Sequence, residues 1–212
     1  MTETAKTQTK PRWSLEMYLR KVFKVVIDPV ATGLLKIGIT PNTITGIGFI
    51  LSTVAAFLLS KGWFTAGGLV LLLAGPLDVV DGSMARQIGP PTPYGALIDS
   101  VTDRYSELVV LGGLLFFYIH QQNEVAILLI FLAAAGSVLV SYVKARAEGL
   151  GQNCKVGLLT RVERLIIVIT CMIFAIPMVA LWIIAILANL TAIQRLLFVR
   201  KQVNNNSERK IS

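Results

Sequence analysis

From Leu165 to Gln194 the chain runs for 30 residues without one charged side chain. An α-helix rises about 1.5 Å per residue, so a hydrocarbon core of ~30 Å takes about 20 residues to cross. The run is too long for one ordinary span, and Pro177 stands inside it. It therefore reads as two spans, one from about 157 to 176 and one from 178 to 200, turning at Pro177. Asn42–Ser60 is a second uncharged run that nearly crosses the same core. Three further apolar stretches, near 63–86, 94–119 and 125–143, complete a set of six.

Composition agrees. Hydrophobic residues make up 54% of the 212 and charged residues 15%, against roughly 25% charged in soluble domains. Mean hydropathy is +0.68. The net charge of +8 would suit nucleic acid or an anionic membrane surface, and at this hydropathy the membrane is the partner expected and nucleic acid is not. The fold class expected is all-α integral membrane, with six transmembrane helices preceded by an N-terminal interfacial amphipathic helix.

Four segments follow. Residues 1–11 read as a disordered tail with no cleavable signal peptide. Residues 12–37 form a juxtamembrane helical segment, whose Leu15, Leu19, Val22 and Val26 share one stripe away from Arg20, Lys21 and Lys24. Asp28-Pro29 reads as a helix start, and Thr40-Pro41 as another. Residues 38–200 form the six-helix domain, and 201–212 a second disordered tail. With both termini on one side, every one of the 20 basic residues except Lys61 falls on that side, so both termini are expected in the cytoplasm.

Against this apolar background stands Asp78–Asp103, which holds four of the 12 acidic residues. Ionisable groups at the margin of hydrocarbon point to function. Asp78 and Asp81 are three residues apart and Asp99 and Asp103 four apart, so each pair shares a helix face. Each pair lies about 12 Å along its helix from the same membrane side, so antiparallel neighbours bring both to one level. Four such carboxylates would repel one another unless a cation joins them, and an all-oxygen set suits Mg2+, Mn2+ or Ca2+. Gly82 and Gly95 allow close approach, and Arg86 can take a phosphate oxygen. Lys144, Arg146, Arg161, Arg164 and Arg195 lie at the same ends of later spans and could hold an anionic, phosphorylated substrate. Cys154 and Cys171 imply no disulfide framework, and His120 reads as an interfacial residue rather than a ligand.

The spacing Asp78-x2-Asp81-Gly82-x2-Ala85-Arg86-x8-Gly95-x3-Asp99-x3-Asp103 resembles the signature of the CDP-alcohol phosphotransferases. The resemblance implies a homodimer, and two divalent ions (Mg2+ or Mn2+) held by Asp78, Asp81, Asp99 and Asp103. Asp103 would also be the general base. Gly82, Arg86 and Thr92 would hold the CDP-lipid, joined by Pro41, Asn42, Thr43 and Ile44. The segments T-P-N-T-I-T (40–45), S-Y-V-K-A-R-A-E (141–148), R-V-E-R-L-I-I-V (161–168) and I-Q-R-L (193–196) resemble the bacterial phosphatidylinositol-phosphate synthase branch. There the acceptor is inositol phosphate, and Lys144, Arg146, Arg161, Arg164 and Arg195 would bind its phosphate. The implied reaction moves a phosphatidyl group from CDP-diacylglycerol to that acceptor and releases CMP. Glycerol 3-phosphate as acceptor is the neighbouring alternative. A cation transporter with intramembrane aspartates is the alternative of a different class.

Overall fold

The computed structural model describes the backbone of residues 27–90, 92–154 and 156–211, with side chains described as far as Asn204. The N-terminal tail and most of the amphipathic helix expected at 13–27 lie outside the described residues. Among those described, seven helices follow one another. They are α1 (27–36), α2 (Pro41–Ser60), α3 (Phe64–Ile88), α4 (Pro93–His120), α5 (Glu124–Gly149), α6 (Arg161–Ile173) and α7 (Pro177–Ile211).

The boundaries follow from local chemistry. Thr40 caps α2 by accepting from the Thr43 N–H, with Pro41 as the first helical residue. Thr92 caps α4 in the same way, accepting from the Gly95 N–H ahead of Pro93. Proline there loses no hydrogen bond, because the first N–H groups of a helix have no internal partner. Gly62 ends α2 at φ +79°, and the Gly62 and Trp63 N–H groups reach back to Leu59 and Leu58. A side chain at that φ would be strained, hence glycine.

The structure departs from expectation at both ends of the chain, and it meets the expected set of spans in part. Ile27 and Asp28 are already helical, so Asp28-Pro29 does not start α1. Asp28 instead accepts a 2.6 Å hydrogen bond from Ser83 Oγ and ties α1 to α3. Of the six expected spans, four helices are both long and apolar enough to cross a membrane: Pro41–Ser60, Phe64–Ile88, Glu124–Gly149 and Pro177–Asn204. α4 has the length, but Asp103, Arg104 and Glu107 charge it. α6 has only 13 residues, about 20 Å, because Glu163 caps the Thr160 N–H at its start and positive-φ Ala175 turns the chain after its end. Lastly, α7 stays helical to Ile211 where a disordered tail was expected beyond residue 200. No glycine or proline interrupts it after Pro177.

α2 packs on α3 and α4, α5 on α7 and α4, and α6 on α3 and α7. Consecutive helices α3 and α4 are not a packed pair; α2 packs on both of them, and α6 packs on α3. The main core gathers Leu59, Leu71, Leu114, Met172, Leu181 and Ile184, each at most 2% exposed. The outer faces are apolar as well, with Phe57, Leu73, Phe131 and Trp182 all exposed. Helices apolar both inward and outward suit a lipid surround rather than water.

Candidate active site

The space left between α3 and α4 is the site. Asp78 and Asp81 enter it from α3, Asp99 and Asp103 from α4. The two pairs do reach one level: a single guanidinium, Arg161 at the start of α6, bridges them. Its Nη2 lies 2.5 Å from Asp78 Oδ2 and its Nη1 2.5 Å from Asp103 Oδ2. Asp99 lines the same cavity as Asp81.

Two cavities meet at this level. One, of about 420 Å3, is lined by Pro41, Asn42, Asp81, Gly82, Arg86, Thr92 and Asp99 among others. The other, of about 60 Å3, lies toward the bundle interior and is lined by Asp78, Asp103, Glu107, Arg161 and Arg164 above an apolar floor. Each aspartate pair therefore divides its members between the cavities. Thr45, which lines both, donates a 2.7 Å hydrogen bond to Asp81 Oδ2.

The expected nucleotide-site residues are brought together in part. Pro41, Asn42, Gly82, Arg86 and Thr92 line the larger cavity. A Cβ on Gly82 would sit 3.4 Å from Arg86 Nη1, so that side chain passes close over Gly82. Thr43 and Ile44 do not line it. Thr43 bonds to the Thr40 hydroxyl, and Ile44 is buried with Ile27, Ala31, Val80 and Met84.

The five basic residues expected around the acceptor separate. Lys144 and Arg146 are exposed, and Lys144 faces Glu148 one turn on. Arg195 is buried and donates to the carbonyls of Val156 and Val140 at 2.8 and 2.6 Å, which pins the 150–160 loop to α5. Arg164 is 2% exposed and makes a two-pronged pair with Glu107, Nε at 2.7 Å and Nη2 at 2.9 Å. Arg161 is the one that meets the aspartates. Sequence reasoning missed Glu107 and Thr45. The first was signalled by its place one turn after Asp103, the second only by a tertiary contact.

Among the described residues no three acidic, histidine or cysteine side chains are gathered closely enough to enclose a metal ion as they stand. The donors nevertheless fit a hard divalent cation. They are four carboxylates offering only oxygen, and a cationic side chain already stands between two of them.

Residues 38–194 match the CDP-alcohol phosphatidyltransferase family model, and the chain belongs to that family. It is thus a phosphotransferase of phospholipid biosynthesis and a multi-pass membrane protein. A phosphatidylinositol phosphate synthase of Streptomyces avermitilis is 36% identical over 93% of this chain and 87% of its own length. The phosphatidylinositol phosphate synthase of Mycobacterium tuberculosis, solved with CDP-DAG bound, superposes with a TM-score of 0.75 at 34% identity. That match covers 82% of this chain and 93% of the other. The same enzyme in complex with manganese and citrate gives 0.76 at 33%, over 82% and 88%.

Proposed function

We propose that this protein transfers the phosphatidyl group of CDP-diacylglycerol to a hydroxyl of inositol phosphate, forming phosphatidylinositol phosphate and CMP. The observation that carries the reading is the convergence of Asp78, Asp103 and Arg161 in the smaller cavity, with Asp81 and Asp99 lining the larger one beside it. One cavity has the signature residues of a CDP site and the other an arginine beside a carboxylate. The named activity of the relatives supports the choice of acceptor.

In this reading Asp78, Asp81, Asp99 and Asp103 hold two divalent ions, Mg2+ or Mn2+. When bound, such ions polarise the diphosphate and offset the charge of departing CMP. The chain's own residues do the rest. Pro41, Asn42, Gly82, Arg86 and Thr92 orient the CDP moiety, with Thr43 and Ile44 shaping the helix start behind them. Asp103 takes the proton from the acceptor hydroxyl. The freed oxygen attacks the phosphorus that carries diacylglycerol, a new P–O bond forms, and the P–O bond to CMP breaks. Arg161 supplies the positive charge that the acceptor's own phosphate requires beside Asp103. Arg164 and Arg195 support it from buried positions, and Lys144 and Arg146 add positive charge at the surface.

The protein is a homodimer of six-span protomers, with α4 and α6 as the two charged or short spans and with both termini and the active site cytoplasmic. Purified protein supplied with CDP-diacylglycerol and Mn2+ should release CMP when inositol phosphate is added. Turnover of glycerol 3-phosphate with none of inositol phosphate would overturn the acceptor assignment.

A further inference from the structure

The wall between α4 and α6 is built from two ionic rungs. Asp103 and Glu107 lie one turn apart on α4, and Arg161 and Arg164 about one turn apart on α6. Asp103 pairs with Arg161 at 2.5 Å, and Glu107 with Arg164 at 2.7 and 2.9 Å. The rungs climb in the same direction along both helices. α4 and α6 are not a closely packed pair; they face one another across the smaller cavity. The two ion pairs are direct side-chain links between α4 and α6 across that cavity.

The inner rung is nearly fully buried on the arginine side, where Arg164 is 2% exposed, and Glu107 is 22% exposed toward the cavity. Buried ion pairs are weak contributors to stability, since apolar replacements of similar volume often serve as well. A role in placement fits better. Arg164 uses Nε and Nη2 on Glu107, and its Nη1 lies 3.5 Å from the Leu159 carbonyl. The Nε–Nη2 face of Arg164 is thus taken by Glu107 and is not offered to a phosphate. An Arg164 released from Glu107 would be a second cation beside Asp103, competing with Arg161.

We propose that Glu107 is a positioning residue. By holding Arg164 it keeps that arginine off Asp103 and sets α6 against α4, so that Arg161 alone meets the acceptor's phosphate. This rests on the reading that the acceptor is a phosphorylated alcohol bound beside Asp103.

The test is steady-state kinetics on Glu107→Gln, Glu107→Asp and Arg164→Met, alone and with Glu107→Gln, in detergent with Mn2+. Glu107→Gln should raise the acceptor KM about tenfold or more while leaving the CDP-diacylglycerol KM near wild type. Glu107→Asp, which keeps the charge, should lie between the two and covers the case in which the glutamine variant does not fold. In the Arg164→Met background Glu107→Gln should have no further effect on acceptor KM, because it acts through Arg164. An unchanged acceptor KM, or a fall in kcat with both KM values unchanged, overturns the proposal. The acceptor is whichever phosphorylated alcohol the wild type turns over in parallel. Failure of inositol phosphate alone then refutes the acceptor assignment and leaves the role of Glu107 to be decided by the variants.

Discussion

Thr45→Val removes one proton donor and almost no volume. The Thr45 side chain is nearly buried on α2, and its hydroxyl lies 2.7 Å from Asp81 Oδ2 and 3.2 Å from the Pro41 carbonyl. A hydroxyl has a single proton, and the shorter contact to a charged acceptor takes it. A hydrogen bond to a charged group is worth about 1.5–3 kcal/mol, which at ~1.4 kcal/mol per decade is about 10- to 100-fold. Loss of a partner that orients a metal-binding carboxylate weakens metal affinity by ~10–100-fold in other proteins, so two independent routes give the same range. Mn2+ affinity of the purified protein, measured by calorimetry or by loss of the free-ion electron paramagnetic resonance signal, should fall by that factor in Thr45→Val. Thr45→Ser keeps the donor and should stay near wild type. If Thr45→Val binds Mn2+ as tightly as wild type, or the serine variant is as weak as the valine one, then the hydroxyl does not orient Asp81 and the reasoning fails.

Asp103→Asn should lower turnover by ~10²–10⁴-fold, the usual contribution of a general base, with thermal melting in detergent close to wild type; retained turnover would remove Asp103 from that role. Arg161→Gln strips the cation that stands between Asp78 and Asp103. Since Arg161 is 36% exposed and partly screened, the gain in Mn2+ affinity of the variant should be about tenfold rather than more, while acceptor KM rises. Unchanged Mn2+ binding would mean that the guanidinium does not compete for the carboxylates. Gly113→Ala sets a Cβ 2.8 Å from the Cα and carbonyl carbon of Ala56, both backbone, so α2 must move away from α4. A loss of ~1–3 kcal/mol should appear as a lower melting temperature, and an unshifted melt would show that the α2–α4 contact is looser than its geometry.

Much of the architecture was legible because it is local. Long uncharged runs become helices wherever lipid or core must hide backbone polar groups, and Thr40-Pro41 starts α2 because a cap and a proline act on their own turn. The spacing of Asp78 with Asp81 and of Asp99 with Asp103 sets their shared faces through the 3.6-residue period alone, and Asp78 and Asp103 meet at Arg161 while Asp81 and Asp99 line the neighbouring cavity. α6 is shorter than the span expected from about 157 to 176, for a related reason. Hydropathy counts apolar residues, while the length of the helix was decided by the cap of Glu163 on Thr160 and the turn at Ala175.

The sequence by itself determined the helices, the faces on which the aspartates lie and the family to which that spacing belongs, since each depends on neighbours within a turn or two. Only the tertiary structure decided that α3 and α4 are joined through α2 and through the arginines of α6 rather than packed on each other. It also decided the partners of the arginines: Arg161 meets Asp78 and Asp103, Arg164 is held by Glu107, and Arg195 is spent on two carbonyls. In sequence these three are equivalent cations at the ends of spans. A long side chain can reach several partners, and which one it takes depends on which helices are packed within its reach.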